Sequence, residues 1–185
     1  MKIKKRNGYE LANLLLFSLS LFLATRDSLF FENLTHVGNQ KEWRFLFLFW
    51  GILQSFYFFY LYLMSLKIES QHTLGKTILA TIALCLNLAG LLLPYQNGSN
   101  DLFSQLHVYG CIIATILSWL LYLHLLYDLS KKNILAFHHC LQPTLWIVCL
   151  FTFVILLFGD ISSLAELILL NGLNYLFLSL QKQAP

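Results

Sequence analysis

Polar side chains are rare in this chain, and the few that fall inside its long apolar runs are the ones whose types and spacing could do chemistry. A charge at the centre of a bilayer costs roughly 2.5–3.5 kcal/mol on insertion scales, so each such group needs a partner or a purpose. One set lies in the apolar stretch 104–127. Ser104, His107, Cys111 and Ser118 fall within roughly 60° of one another at about 100° per residue, one polar stripe on an otherwise apolar helix. Glu166, one turn into the last apolar stretch, comes to a similar depth as His107. Asn87 approaches the same level near the end of the third stretch, and Asp101 and Asp160 lie in the connections just above. A histidine and a carboxylate at equal depth could act as an acid/base pair, hold a cation, or grip a lipid head group. The plainer alternative is a hydrogen-bonded clamp between helices.

A second set sits at the opposite end of the apolar stretches. His124 and His138-His139-Cys140 are brought level by a short hairpin, and His/Cys sets are metal ligands in principle. Adjacent histidines on a helix point about 100° apart, however. No regular ligand spacing supports zinc, so no metal is expected and these read as interfacial histidines facing head groups. A third set, Asn171 and Asn174, shares half of a helix with Ser163 and Glu166. Such amides bond to neighbouring helices for about 0.6 kcal/mol each; Asn13 and Ser20 on the first stretch are the expected partners. The four cysteines, Cys85, Cys111, Cys140 and Cys149, form no C-x-x-C pair and read as small apolar side chains. No H-E-x-x-H, G-x-S-x-G or phosphate-cradling glycine loop occurs, and no cofactor is expected. Arg-rich voltage sensing and filter-like pore sequences are missing too.

The elements that must position these groups are set by hydropathy. Apolar residues make up 58% of the 185 and charged ones 11%, against about 45–50% and about 25% in soluble domains. Phe45 to Leu66 holds no ionisable side chain except tyrosine and reaches roughly 33 Å as a helix, enough for a hydrocarbon core of roughly 30 Å. Reading hydropathy against breakers gives an all-α, polytopic transmembrane bundle of six helices in a single domain, 1–185. Its spans are 9–25, 44–66, 74–93, 104–127, 134–158 and 162–180. Lys67, Asn97-Gly98-Ser99-Asn100, Asp128 with Lys131-Lys132-Asn133, and Gly159-Asp160 supply the stops. Pro143 is expected to kink the fifth span. Phe22-Leu23-Ala24 offers a poor cleavage site, so the first run is expected to remain as a span rather than leave as a signal peptide.

An even span count puts both termini on one side. That side collects Lys2, Lys4, Lys5, Arg6, Lys67, Lys76, Lys131, Lys132 and Lys182, nine of the twelve basic residues; Arg26, Lys41 and Arg44 fall opposite. The positive-inside rule therefore places both termini in the cytoplasm. The longest loop, Arg26 to Trp43, lies outside and mixes Leu29-Phe30-Phe31 with polar residues, as a segment lying on or dipping into the outer interface would. Asn33-Leu34-Thr35 within it matches the glycosylation acceptor pattern. The basic head reads as a topology determinant, and no nucleic-acid partner is expected.

Three local features together resemble a known group. Thr35-His36-Val37-Gly38-Asn39 in the first outer loop, Gly90-Leu91-Leu92-Leu93-Pro94 closing the third span, and His107 opening the fourth follow an order similar to that of the six-helix superfamily of the damage-regulated autophagy modulators and their bacterial relatives. The resemblance implies a six-helix bundle with a polar outer pocket near Thr35, Gly38 and His107. The chain lacks the Pro-Glu pair that autophagy members carry near the second span.

Taken together, the residues expected at the pocket are His107, Ser104, Glu166, Thr35, His36, Gly38, Asn39 and Asn87. The expected role is binding of a membrane lipid or small amphiphile in the outer leaflet of a bacterial-type cytoplasmic membrane, alone or as a subunit with a membrane-protein partner. A small transporter or channel-like homo-oligomer is the first alternative, and an intramembrane enzyme using a His/carboxylate pair the second.

Overall fold

The computed structural model describes residues 2–66, 73–95 and 101–183, with side chains from residue 8 onward except that of Thr73. The stops expected at Lys67 and Asn97-Gly98-Ser99-Asn100 lie outside the described residues, as do the side chains of Lys2, Lys4, Lys5 and Arg6. Seven helices follow one another: α1 (Lys2–Ala24), α2 (Leu34–Asn39), α3 (Arg44–Leu66), α4 (Thr73–Leu92), α5 (Leu102–Lys132), α6 (Ile134–Phe158) and α7 (Ser163–Gln183). The described residues contain no strand. Five helices, α3 to α7, are long and apolar enough to cross a membrane. In α1 the apolar part is the shorter Gly8–Ala24, roughly 26 Å at 1.5 Å per residue.

The ends of these helices have identifiable causes. Asn133 closes α5 by donating its N–H to the Leu129 carbonyl, and opens α6 by accepting from Ala136 N at 3.1 Å. The α5 helix thus runs past Asp128, where hydropathy placed a stop. Polar residues are compatible with a helix once it leaves the lipid, and Lys131 and Lys132 suit its carboxyl end. Gly159 ends α6 in the left-handed region, φ 75°, where a side chain would be strained. Pro143 leaves α6 continuous. The 26–43 loop contains a helix the hydropathy did not foretell. Asn33 caps α2 by accepting from His36 N at 3.0 Å, so the asparagine of the glycosylation pattern spends its side-chain oxygen on its own helix.

Hydrogen bonds tie elements together at the two ends of the bundle. At the end holding α2, Ser163 N donates to Glu32 O and Leu164 N to Leu29 O. At the other end, Tyr57 donates to Tyr9 O at 2.7 Å, Lys182 pairs with Glu10 at 2.9 Å, and Lys76 pairs with Asp128 at 3.2 Å. Two cores result. Leu23, Leu34, Val37, Phe47, Trp50 and Leu167 pack beneath the 26–43 loop. Tyr62, Tyr122 and Phe177 meet edge to face near the opposite end, with centroids 5.5 to 5.9 Å apart, among Leu61, Leu121 and Leu176. The rings of α3 divide between roles: Phe47, Trp50 and Tyr62 are buried, while Phe45, Phe49 and Phe56 face outward.

Candidate functional site

Between the two cores lies a cavity of about 610 Å³, within the range of roughly 300–1,000 Å³ typical of small-molecule sites. Leu34 and Thr35 of α2 contribute at one end, and α3, α4, α5, α6 and α7 supply the walls. Most wall residues are apolar, among them Phe47, Trp50, Leu91, Ile112, Phe151 and Leu170. The cavity is open sideways. Ile112, Ile116 and Leu120 of α5 and Val148 of α6 line it and are yet 43 to 56% exposed. Nearer the hairpin α5 and α6 are joined: Tyr122 and Thr144 hydroxyls are 2.7 Å apart. The gap therefore lies between the halves of these two helices nearer α2.

Four of the eight residues expected at a pocket line this cavity: Thr35, Asn87, His107 and Glu166. The His107 ring is fixed on both nitrogens. Its Nδ1 lies 2.7 Å from Gly90 O, and a carbonyl only accepts, so Nδ1 carries the proton and Nε2 of the neutral ring is an acceptor. Thr35 Oγ1 sits 3.4 Å from Nε2, a long contact, and the Tyr95 ring lies alongside at 5.0 Å. Gly90 makes this seat by letting α4 approach α5 closely: a methyl group there would lie 2.6 Å from Cys111 Sγ. Glu166 accepts from Leu34 N at 2.8 Å through Oε2. Its other oxygen has no partner among the described residues. His107 and Glu166 thus share a cavity without bonding to each other, each tied to a backbone group.

The other four expected residues point elsewhere. Ser104 is buried and donates its N–H to Asp101 at 3.0 Å in the cap of α5. His36 bonds to Asp27, which also accepts from Gln40 at 2.9 Å. Gly38 lies against the Phe47 ring, where a Cβ would not fit, and Asn39 donates to Tyr95 O. One helical turn can aim only one or two side chains inward, which is why Thr35 alone of this run reaches the cavity.

No family model, curated protein or solved structure matches the chain. What the site can do is read from its own atoms. Residues that spacing did not single out complete it. Gln54 and Ser55 at mid-span on α3 line the cavity, and Ser55 accepts from Asn87 Nδ2 at 2.9 Å. A chamber of about 40 Å³ adjoins, sharing Gln54, Ser55, Asn87 and Trp119. Gln54 Oε1 and Trp119 Nε1 are buried there with no partner among the described residues, and the chamber has room for water, which needs only roughly 10–15 Å³ on this measure. Gln54 sits in a run of aromatic residues where nothing but its amide marks it. Ser118, by contrast, spends its hydroxyl on Ala114 O at 2.7 Å in its own helix.

The remaining expectations fare unevenly. Among the described residues no three His, Cys, Asp or Glu side chains converge on a metal geometry. His124 pairs with Asp128 at 3.3 Å, His138 and His139 are exposed, and Cys140 is buried in the core. Among the described residues no amide hydrogen bond joins α1 and α7. Ser20 accepts instead from Trp50 Nε1 at 2.8 Å. Asn171 donates to Leu167 O of its own helix, and Asn13 Oδ1, Asn171 Oδ1 and both polar atoms of Asn174 find no partner among the described residues. Outside the apolar spans, Ser104 holds the Asp101 carboxyl below the usual carboxylate range through its hydroxyl and N–H.

Proposed function

We propose that this chain binds a lipid or small amphiphile of the outer leaflet in the cavity between α5 and α6. The observation carrying this reading is the cavity's make-up: an apolar chamber of about 610 Å³ that opens sideways and carries Thr35, His107 and Glu166 together near one end. An amphiphile matches such a site because its chain can fill the apolar part, each buried methylene contributing about 0.8 kcal/mol. Its head can meanwhile reach hydrogen-bonding groups at the level of the outer interface. A water-borne solute gains less from walls of this kind.

The same reading takes α1 as a sixth span and places both termini in the cytoplasm of a bacterial-type membrane. Nine of twelve basic residues at that end support it. It also takes the chain as a relative of the autophagy-modulator superfamily, acting alone, as a homo-oligomer or with a membrane-protein partner. The acid/base alternative finds less support, because His107 and Glu166 are each committed to a backbone partner.

The test is lipid retention. The chain is extracted in mild detergent, exchanged into nanodiscs of a defined lipid, and the retained extract analysed by mass spectrometry. Wild type should keep an amphiphile in stoichiometric amount. Thr115→Trp, which places an indole on the cavity wall, should lose it while remaining folded. Equal retention by both would refute the reading.

A further inference from the structure

The polar atoms at the mouth of the cavity restrict the head group it can accept. Among the described residues no lysine or arginine lines the cavity. The one ionisable acid on its wall, Glu166, has an oxygen without a partner among the described residues, and His107 presents Nε2 as an acceptor because Nδ1 is committed to Gly90 O. A helix amino terminus would ordinarily attract an anion through its free N–H groups, yet in α5 and α7 most of these donors are spent on the protein itself. In α7, Ser163 N and Leu164 N donate to Glu32 O and Leu29 O, while Ala165 N and Glu166 N donate to Ser162. In α5, Ser104 N and Gln105 N donate to Asp101.

We propose that the ligand is a single-chain amphiphile with an uncharged head bearing two hydroxyls, of the monoacylglycerol class. This rests on the amphiphile-binding reading above. A hydroxyl donates to Nε2 of His107, taking over from the long Thr35 contact, and a second hydroxyl donates to the free oxygen of Glu166. The Thr35 hydroxyl is then released to donate to the ligand oxygen. A carboxylate or phosphate head meets the Nε2 acceptor of His107 with no compensating cation among the described lining residues, and a buried unpaired charge is costly. Gln54 and Trp119 lie deeper, beside the small chamber, and are left to water or to the far end of the ligand.

The experiment measures binding of three probes with the same oleoyl chain to the purified full chain in detergent, by native mass spectrometry: 1-monooleoylglycerol, oleic acid and oleoyl lysophosphatidate. The monoacylglycerol should bind at least about tenfold more tightly than either anion. Glu166→Gln keeps an acceptor for Leu34 N but replaces the free oxygen by an amide donor, so it should narrow that ratio several-fold by strengthening the anions. An unchanged ratio in Glu166→Gln would overturn the role given to Glu166. If all three probes bind equally to wild type and Thr115→Trp abolishes all three, the head-group inference fails while the binding reading survives. If none binds, both fail.

Discussion

Gly90→Ala probes the joint between α4 and α5, on which the seat of His107 depends. The added methyl would lie 2.6 Å from Cys111 Sγ, 3.5 Å from His107 O and 3.6 Å from Cys111 N. The two backbone distances are ordinary contacts, so only the thiol obstructs. A side chain on a helix has few open rotamers, and the thiol must either turn or push the helices apart. Overpacking of this kind costs about 1–3 kcal/mol, while alanine in a helix regains about 0.5–1 kcal/mol over glycine. The expected net loss is therefore about 1 kcal/mol. Cys111→Ala removes the obstruction, so adding Gly90→Ala in that background should be neutral or stabilising. A double-mutant cycle should return a coupling of about 1–3 kcal/mol. Unfolding in mixed micelles of rising SDS content, followed by circular dichroism, measures it. If Gly90→Ala costs the same with and without the thiol, close approach is not why glycine stands there, and the fixing of His107 through Gly90 O needs another cause.

Glu166→Ala should orphan Leu34 N at a cost of about 1–3 kcal/mol, speeding proteolysis of the 26–43 loop, whereas Glu166→Gln leaves the loop attached; equal cleavage of the Ala variant and wild type would contradict this. Thr144 gives its proton to Cys140 O at 2.7 Å, so Tyr122 must be the donor to Thr144. Tyr122→Phe should then cost only about 0.6 kcal/mol. Thr144→Val strands the tyrosine hydroxyl and should cost more, about 1–3 kcal/mol; the reverse order in the same unfolding assay would refute the assignment. Because Ser104 lowers the Asp101 carboxyl from its ordinary 3.8, the charged cap stabilises the folded chain fully above that pH. Its contribution is lost as pH falls through the lowered value. The Tm gap between wild type and Asp101→Ala should therefore close in acid, and a constant gap would contradict it.

Helix existence was legible where apolar runs are long: α3 and α6 begin and end within a residue of where hydropathy puts them. Hydropathy reports where lipid ends rather than where helix ends, so it ended the fourth span at 127, whereas of the stop residues it named only Asn133 closes α5, and it also opens α6. The α2 helix was hidden because much of its support is tertiary, from Glu166 on Leu34 N and Phe47 against Gly38, beside the local Asn33 cap. At the site, depth counting brought Asn87, His107 and Glu166 to one cavity, while Thr35 was expected there only through the family resemblance, and neither could say which way α2 turns. Nor could it find Gln54, since a glutamine within an aromatic span signals nothing until its buried oxygen is seen without a partner. The amides of α1 and α7 were matched by face alone, and Ser20 proved to be engaged by Trp50 instead.

The most direct test of a lipid-accessible cavity uses its own fluorophores. Trp50 and Trp119 line the cavity, whereas Trp146 is 70% exposed on the outer surface of α6. Monoacylglycerol with a brominated chain, a contact quencher, is titrated into nanodiscs holding wild type, Trp119→Phe or Trp146→Phe. Occupancy predicts a saturable quenching component at low mole fraction, retained in Trp146→Phe and reduced in Trp119→Phe. Quenching that rises linearly with bulk brominated chain and is unaffected by loss of Trp119 would contradict the account.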